Sequence, residues 1–159
     1  MRVQPIEPSA DARSVLRDAQ FADAFVVQTD EPTIDARQAA ERMLSRSPVW
    51  VHGLLALRDI LVSPFGLRST REARDAPGNK VGMFPVLAET PQRLIAGFDD
   101  SHLDFRLVVD VTSKTEISEV TATTVVLTHN LLGRSYLMLI EPFHRLVVRA
   151  MMRQIARPV

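Results

Sequence analysis

From Leu103 to Thr112 the chain sets Leu103, Phe105, Leu107, Val109 and Val111 against Asp104, Arg106, Val108, Asp110 and Thr112. A period of two predicts a β-strand with one buried face. Taking Asp100-Ser101 as a tight turn pairs this strand with the one before it, Phe98 facing Leu103, Ala96 facing Phe105 and Leu94 facing Leu107. Taking Lys114-Thr115 as the next turn sets Val109 against Val120, Leu107 against Ala122, Phe105 against Thr124 and Leu103 against Val126. Upstream, Thr90-Pro91-Gln92 joins Val81–Ala88 to Arg93–Asp99 and brings Phe84 opposite Phe98. These segments predict an antiparallel meander of at least four strands.

After the meander the period changes. In Asn130–Ala156 a helical repeat gathers Leu132, Tyr136, Leu139, Ile140, Phe143, Val147, Ala150 and Met151 on one side. Arg134, Glu141, Arg145, Arg149 and Arg153 gather opposite, with Glu141 four residues before Arg145, a spacing that supports solvated helical pairs. The apolar stripe is broad and carries two aromatic rings, which predicts a long helix lying across a sheet rather than a coiled-coil partner. Pro142 removes the amide bond to Met138 and is expected to kink it.

The first third of the chain predicts shorter elements. Ser9 caps a short helix over the following ADARSVLRDA, and Ala22–Thr29 reads as a strand closed by Asp30-Glu31-Pro32. Thr33 is expected to cap a helix with Asp35 in its first turn and Ala36, Ala40, Met43 and Leu44 on one face. Pro48 restarts a helix whose buried side comprises Trp50, Val51, Leu54, Leu57, Leu61 and Val62. Leu67–Asn79 is polar, closes on Pro-Gly-Asn and reads as a solvated connector, or as a loop that gates a pocket. The order is strand, two helices, meander and long terminal helix, an α+β layer pair. One domain over residues 1–159 suffices, with its core in 20–156 and residues 1–19 as an extension bearing a short helix.

Composition narrows the partners. Hydrophobic residues make up 46% and charged residues 24%, as expected of a folded globular protein. Nineteen basic residues balance nineteen acidic ones, so no broad positive field favours nucleic acid. No cysteine is present, which removes disulfides, thiolate metal sites and thiol nucleophiles and fits a cytoplasmic address. The charged first twenty residues do not form a signal-peptide core, and the apolar run Val49–Val62 is interrupted and too short to span a bilayer. The expected protein is soluble and does not insert into membranes.

The segments GFDDSHLDFRLVVDV (Gly97 to Val111) and THNLLGRSYLMLIEPFHRLVVRAMM (Thr128 to Met152) resemble a family of uncharacterised bacterial proteins, a domain of unknown function. That family in turn is similar in fold to the START and polyketide-cyclase (SRPBCC, helix-grip) superfamily, and the resemblance extends over residues 20–155. It implies a curved antiparallel sheet gripped by the C-terminal helix, and a cavity that in many members holds a lipid, hormone or polyketide. No catalytic residue of a characterised member maps by motif onto this chain.

The inner face supplies the candidate site. Ala96, Val109 and Thr124 are small or medium groups beside the larger Phe84, Phe98, Phe105 and Leu107, a mixture that leaves room for a small apolar molecule. Tyr136, Ile140 and Phe143 face it from the helix, Tyr136 bringing a phenol that needs a partner, and His129 stands where the last strand ends. His144, on the flank of the stripe, reads as a packing histidine. Asp100, His102, Asp104 and Arg106 share the opposite, solvated face; same-face neighbours stand about 7 Å apart, too far for unaided ligation of one ion. No catalytic residue, metal ion or cofactor is assigned. The leading expectation is a non-catalytic module for a small, largely apolar ligand. The alternatives are a cyclase-, isomerase- or hydrolase-like enzyme using His129 or Tyr136 for a proton, and a protein-interaction module.

Overall fold

The structure, a computed structural model, describes residues 1–45 and 77–157, together with Val49, Gly53, Ala56, Asp59, Ile60 and residues 63–65. Most of the helix expected over 48–62 and most of the loop expected over 67–79 lie outside the described residues; Val49, Gly53, Ala56, Asp59 and Ile60, within the former, are helical.

Strands β1 (Gln4–Ile6), β2 (Phe21–Thr29), β3 (Lys80–Val81), β4 (Phe84–Glu89), β5 (Arg93–Asp99), β6 (Leu103–Ser113) and β7 (Ser118–Thr128) form one curved antiparallel sheet. Its order is β1-β2-β7-β6-β5-β4-β3. Helices α1 (Ala10–Arg13), α2 (Ala36–Ser45) and the long α3 (Leu131–Met152) accompany it, with a 3-10 turn at Ser63–Phe65. The meander is as expected, but the early strand β2 pairs with β7, which places the start and end of the chain side by side beneath α3. This is the α+β helix-grip arrangement.

The register differs from the expected one by two residues at both hairpins. Phe98 pairs with Phe105, Ala96 with Leu107 and Leu94 with Val109; Phe105 then pairs with Val126, Leu107 with Thr124 and Val109 with Ala122. Each turn is centred one residue later than expected, on Ser101-His102 and on Thr115-Glu116. Asp100 N donates to Leu103 O at 3.0 Å and Lys114 N to Ile117 O at 2.8 Å, so in each hairpin the first strand runs one residue further before the chain turns. Asp100 Oδ1 accepts from Ser101 N at 2.6 Å and stabilises the first turn. A shift of two preserves the alternation of faces, so the expected apolar face remains buried.

That inner face carries the main core, including Val27, Leu94, Ala96, Leu107, Val109, Val120 and Ala122. α2 closes one part of it, presenting Ala36, Ala39, Ala40 and Met43, whose small side chains let the helix approach β3, β5 and β6. Asp35, rather than Thr33, caps α2. Its Oδ1 accepts from Gln38 N at 2.8 Å while Gln38 Oε1 accepts from Asp35 N, a reciprocal capping box.

The outer face is not simply solvated. Ala24, Val108, Thr123 and Val125 lie on it and are buried, as are Ala12 of α1 and Leu16 just after it. The N-terminal segment covers this part of the sheet, held by the ion pairs of Arg93 with Asp11 and with Asp110. Arg93 is held protonated far above its ordinary range, chiefly by its hydrogen bonds to Asp110.

α3 is present as expected but rotated about its axis. Gly133 and Val148 are buried and Leu137, Ile140 and His144 half-buried, whereas Leu139 and Phe143 are 55% and 48% exposed. Two contacts set this rotation. A Cβ on Gly133 would stand 2.1 Å from the His102 carbonyl oxygen, so only glycine allows the helix start to sit against the β5–β6 turn. Farther along, His144 reaches Asp23 on β2. These polar and steric contacts outweigh the burial of one more apolar flank.

Candidate functional site

Register places the inner-face side chains in rows across the sheet. The first row runs Phe21, Val126, Phe105 and Phe98 through the β2–β7, β7–β6 and β6–β5 pairings, with Phe84 next to it on β4. The rings of Phe84 and Phe105 stack at 5.0 Å between centroids, those of Phe98 and Phe105 at 5.6 Å. All four phenylalanines of this row are only half-buried. The second row, Asp23, Thr124, Leu107, Ala96 and Val86, lies deeper, with Thr124 3% and Ala96 0% exposed. Val109 and Leu94 continue the floor in the third.

α3 lies over β2 and β7, and α2 over β3, β5 and β6. Tyr136, Ile140 and His144 follow one another at four-residue spacing along α3, each half-buried. The aromatic row therefore forms an apolar wall beside the first half of the long helix. At its β2 end the wall becomes polar. His144 Nε2 is 3.1 Å from Asp23 Oδ1, and its ring meets Phe21 edge-on at 5.7 Å. A carboxylate only accepts, so Nε2 carries a proton and donates it to this contact. Asp23 Oδ2 is buried with no hydrogen-bond partner.

Of the residues singled out in the sequence, the structure gathers Phe84, Phe98 and Phe105 into one stack and sets Ala96, Leu107, Val109 and Thr124 as the floor beside it. Tyr136 and Ile140 are half-buried on α3, which lies over β2 and β7. His129 and Phe143 lie apart from this set. His129 Nε2 is 3.0 Å from Asp104 Oδ1 on the opposite side of the sheet, and Phe143 is largely exposed. Asp23 and Phe21 were missed, and His144 was read only as packing. The signal was available: Asp23 is in phase with Phe21, Phe25 and Val27 on the buried face of a strand, where a carboxylate needs a partner.

The alternating polar series on the outer face does not converge on one point. Asp100 binds its own turn, Asn130 Nδ2 contacts His102 Nδ1 at 3.0 Å, Asp104 takes His129, and Arg106 pairs with Asp99 at 2.7 Å. Among the described residues no group of three or more His, Asp or Glu is placed to hold a metal ion. No helix among them is long and apolar enough to cross a membrane. A cleft of about 660 Å³ lies elsewhere, between residues 1–5 and the last turns of α3.

The chain belongs to a family described as "Protein of unknown function (DUF2867)", whose model matches residues 15–151. No curated protein matches it. Among solved structures it is similar to a conserved protein from Geobacillus kaustophilus at 8% identity and a TM-score of 0.41, over 86% of this chain and 93% of that one. It is also similar to a protein from Arthrobacter aurescens solved by solution NMR, at 11% identity and a TM-score of 0.40, over 87% of each chain. Neither likeness bears on activity.

Proposed function

We propose that this protein is a START-like binding module that seats a small, largely apolar molecule against Phe84, Phe98 and Phe105, beneath Tyr136 and Ile140 of α3. The observation that carries this reading is the half-buried aromatic row above a closed floor of Ala96, Leu107, Val109 and Thr124. Such a row retains apolar area that a ligand would remove from water, at about 25 cal/mol per Å². The unpartnered oxygen of Asp23 adds a point of attachment for one donor group. Native mass spectrometry of purified protein and displacement of a fluorescent fatty acid test the proposal. Saturable binding by wild type, weakened in Phe105→Ala while the fold persists, supports it. Absence of bound molecules together with absence of probe binding rules it out.

One observation favours a second reading, an enzyme of the hydrolase or isomerase kind. The Asp23–His144 pair sits at the end of the aromatic row, and a histidine oriented by a carboxylate is a general base. The proton-handling role thus moves from His129 to His144. In this reading wild type hydrolyses one or more p-nitrophenyl esters, and His144→Gln keeps probe binding but loses turnover. Equal rates in both proteins, or none, decide against it.

A further inference from the structure

Among the described residues, four of the five partly buried arginines are paired. Arg37 pairs with Glu89, Arg42 with Glu31, Arg93 with Asp110 and Arg106 with Asp99, each within hydrogen-bonding reach. Arg2, Arg149 and Arg153 form no ion pair among the described residues, yet they stand around one cleft of about 660 Å³, completed by Met1, Val3, Gln4 and Pro5. Among the described residues no carboxylate lines it. Arg149 is fixed from one side, its guanidinium carbon 5.6 Å from the centroid of the buried Phe25 ring. Its Nε is buried and has no hydrogen-bond partner. A desolvated guanidinium N–H without an acceptor is costly in a chain of zero net charge that pairs its other partly buried arginines. The cleft is larger than an inorganic ion requires and falls in the size range of small-molecule sites.

We propose that this cleft binds a small organic molecule carrying two or more anionic oxygen groups, held by Arg2, Arg149 and Arg153. Planar guanidinium groups present paired donors that match carboxylate and phosphate oxygens. The cleft lies at the far end of α3 from the Phe84–Phe98–Phe105 stack and is independent of any ligand there.

Isothermal titration calorimetry at low ionic strength tests it, with inorganic pyrophosphate and with citrate as separate probes. One-to-one binding of either is expected, weakened roughly tenfold or more in Arg149→Gln and in Arg153→Gln, the loss of a charge-assisted hydrogen bond. Arg145→Gln, on the same helix but outside the cleft, leaves the affinity unchanged. Preference for pyrophosphate assigns a phosphate ester as the ligand class, and preference for citrate a polycarboxylate. Arg153 is exposed, so its variant keeps the test valid should Arg149→Gln fail to fold. Absence of binding by either probe at millimolar concentration, or equal weakening by Arg145→Gln, overturns the proposal. So does a duplex oligonucleotide that binds more tightly than both probes.

Discussion

His144 Nε2 on α3 lies 3.1 Å from Asp23 Oδ1 on β2, joining the last helix to the first long strand across the helix–sheet interface. Both side chains are largely withdrawn from solvent, at 17% and 16% exposure. His144→Ala leaves both Asp23 oxygens unpartnered and removes the edge contact to Phe21. The expected cost is about 2–3 kcal/mol. The double variant Asp23→Leu/His144→Leu recovers most of it, because no charge is then stranded. Urea unfolding of the three proteins measures both, and a single-variant cost near zero would make the pair incidental.

Gly133 tests how the helix start is seated. Glycine to alanine inside an exposed helix ordinarily stabilises by roughly 0.5–1 kcal/mol. Here the added Cβ meets the His102 carbonyl oxygen at 2.1 Å, so the sign reverses. Gly133→Ala is expected to destabilise by about 1–3 kcal/mol through overpacking. Ser135→Ala, two residues on and exposed, is the neutral control in the same thermal melts.

Phe105 and Leu107 follow each other on the inner face yet differ in burial. Leu107 is 3% exposed, and Leu107→Ala should cost about 3 kcal/mol or more. Phe105 is half-buried on the open row, so Phe105→Ala should fall below the roughly 3–5 kcal/mol of a fully packed phenylalanine. Denaturant midpoints of the two variants rank them. A larger loss at Phe105 would show a closed core where the ligand site is proposed.

Arg42 makes two hydrogen bonds to Glu31, at 2.7 and 2.8 Å, and holds its carboxyl below the usual range chiefly through them, against a smaller opposing effect of burial. A carboxylate depressed in the folded state stabilises above its unfolded pKa and loses that contribution as pH falls through the folded one. Arg42→Gln should therefore be less stable than wild type at pH 7. Because the Glu31 side chain is 37% exposed, the difference is discounted for screening to about 1 kcal/mol or less. It should shrink as pH falls below about 4.5 and disappear once pH has passed below the depressed folded-state pKa. A gap that persists in acid would assign the effect of Arg42 to packing alone.

The alternation of Leu103–Val111 determined which side chains of β6 share a face, because successive residues of a strand point to opposite sides whatever surrounds them. The caps at Ser9 and Asn130 are equally local: each oxygen accepts from an amide three residues on, Ala12 in one case and Gly133 in the other. Turn position was less legible. Asp100-Ser101 and Lys114-Thr115 lack the glycine that pins a two-residue hairpin, and each turn forms one residue later, which moves each pairing by two. The α+β layer arrangement was within reach of these local patterns. The rotation of α3 was not, since its apolar residues extend around more than half of the helix and admit several orientations. Only the tertiary structure selects one, by seating Gly133 on the carbonyl of His102 and bringing His144 to Asp23, 121 residues away in the chain. Periodicity records what each segment does to its own neighbours; which distant groups meet depends on steric fit and pairing across the core.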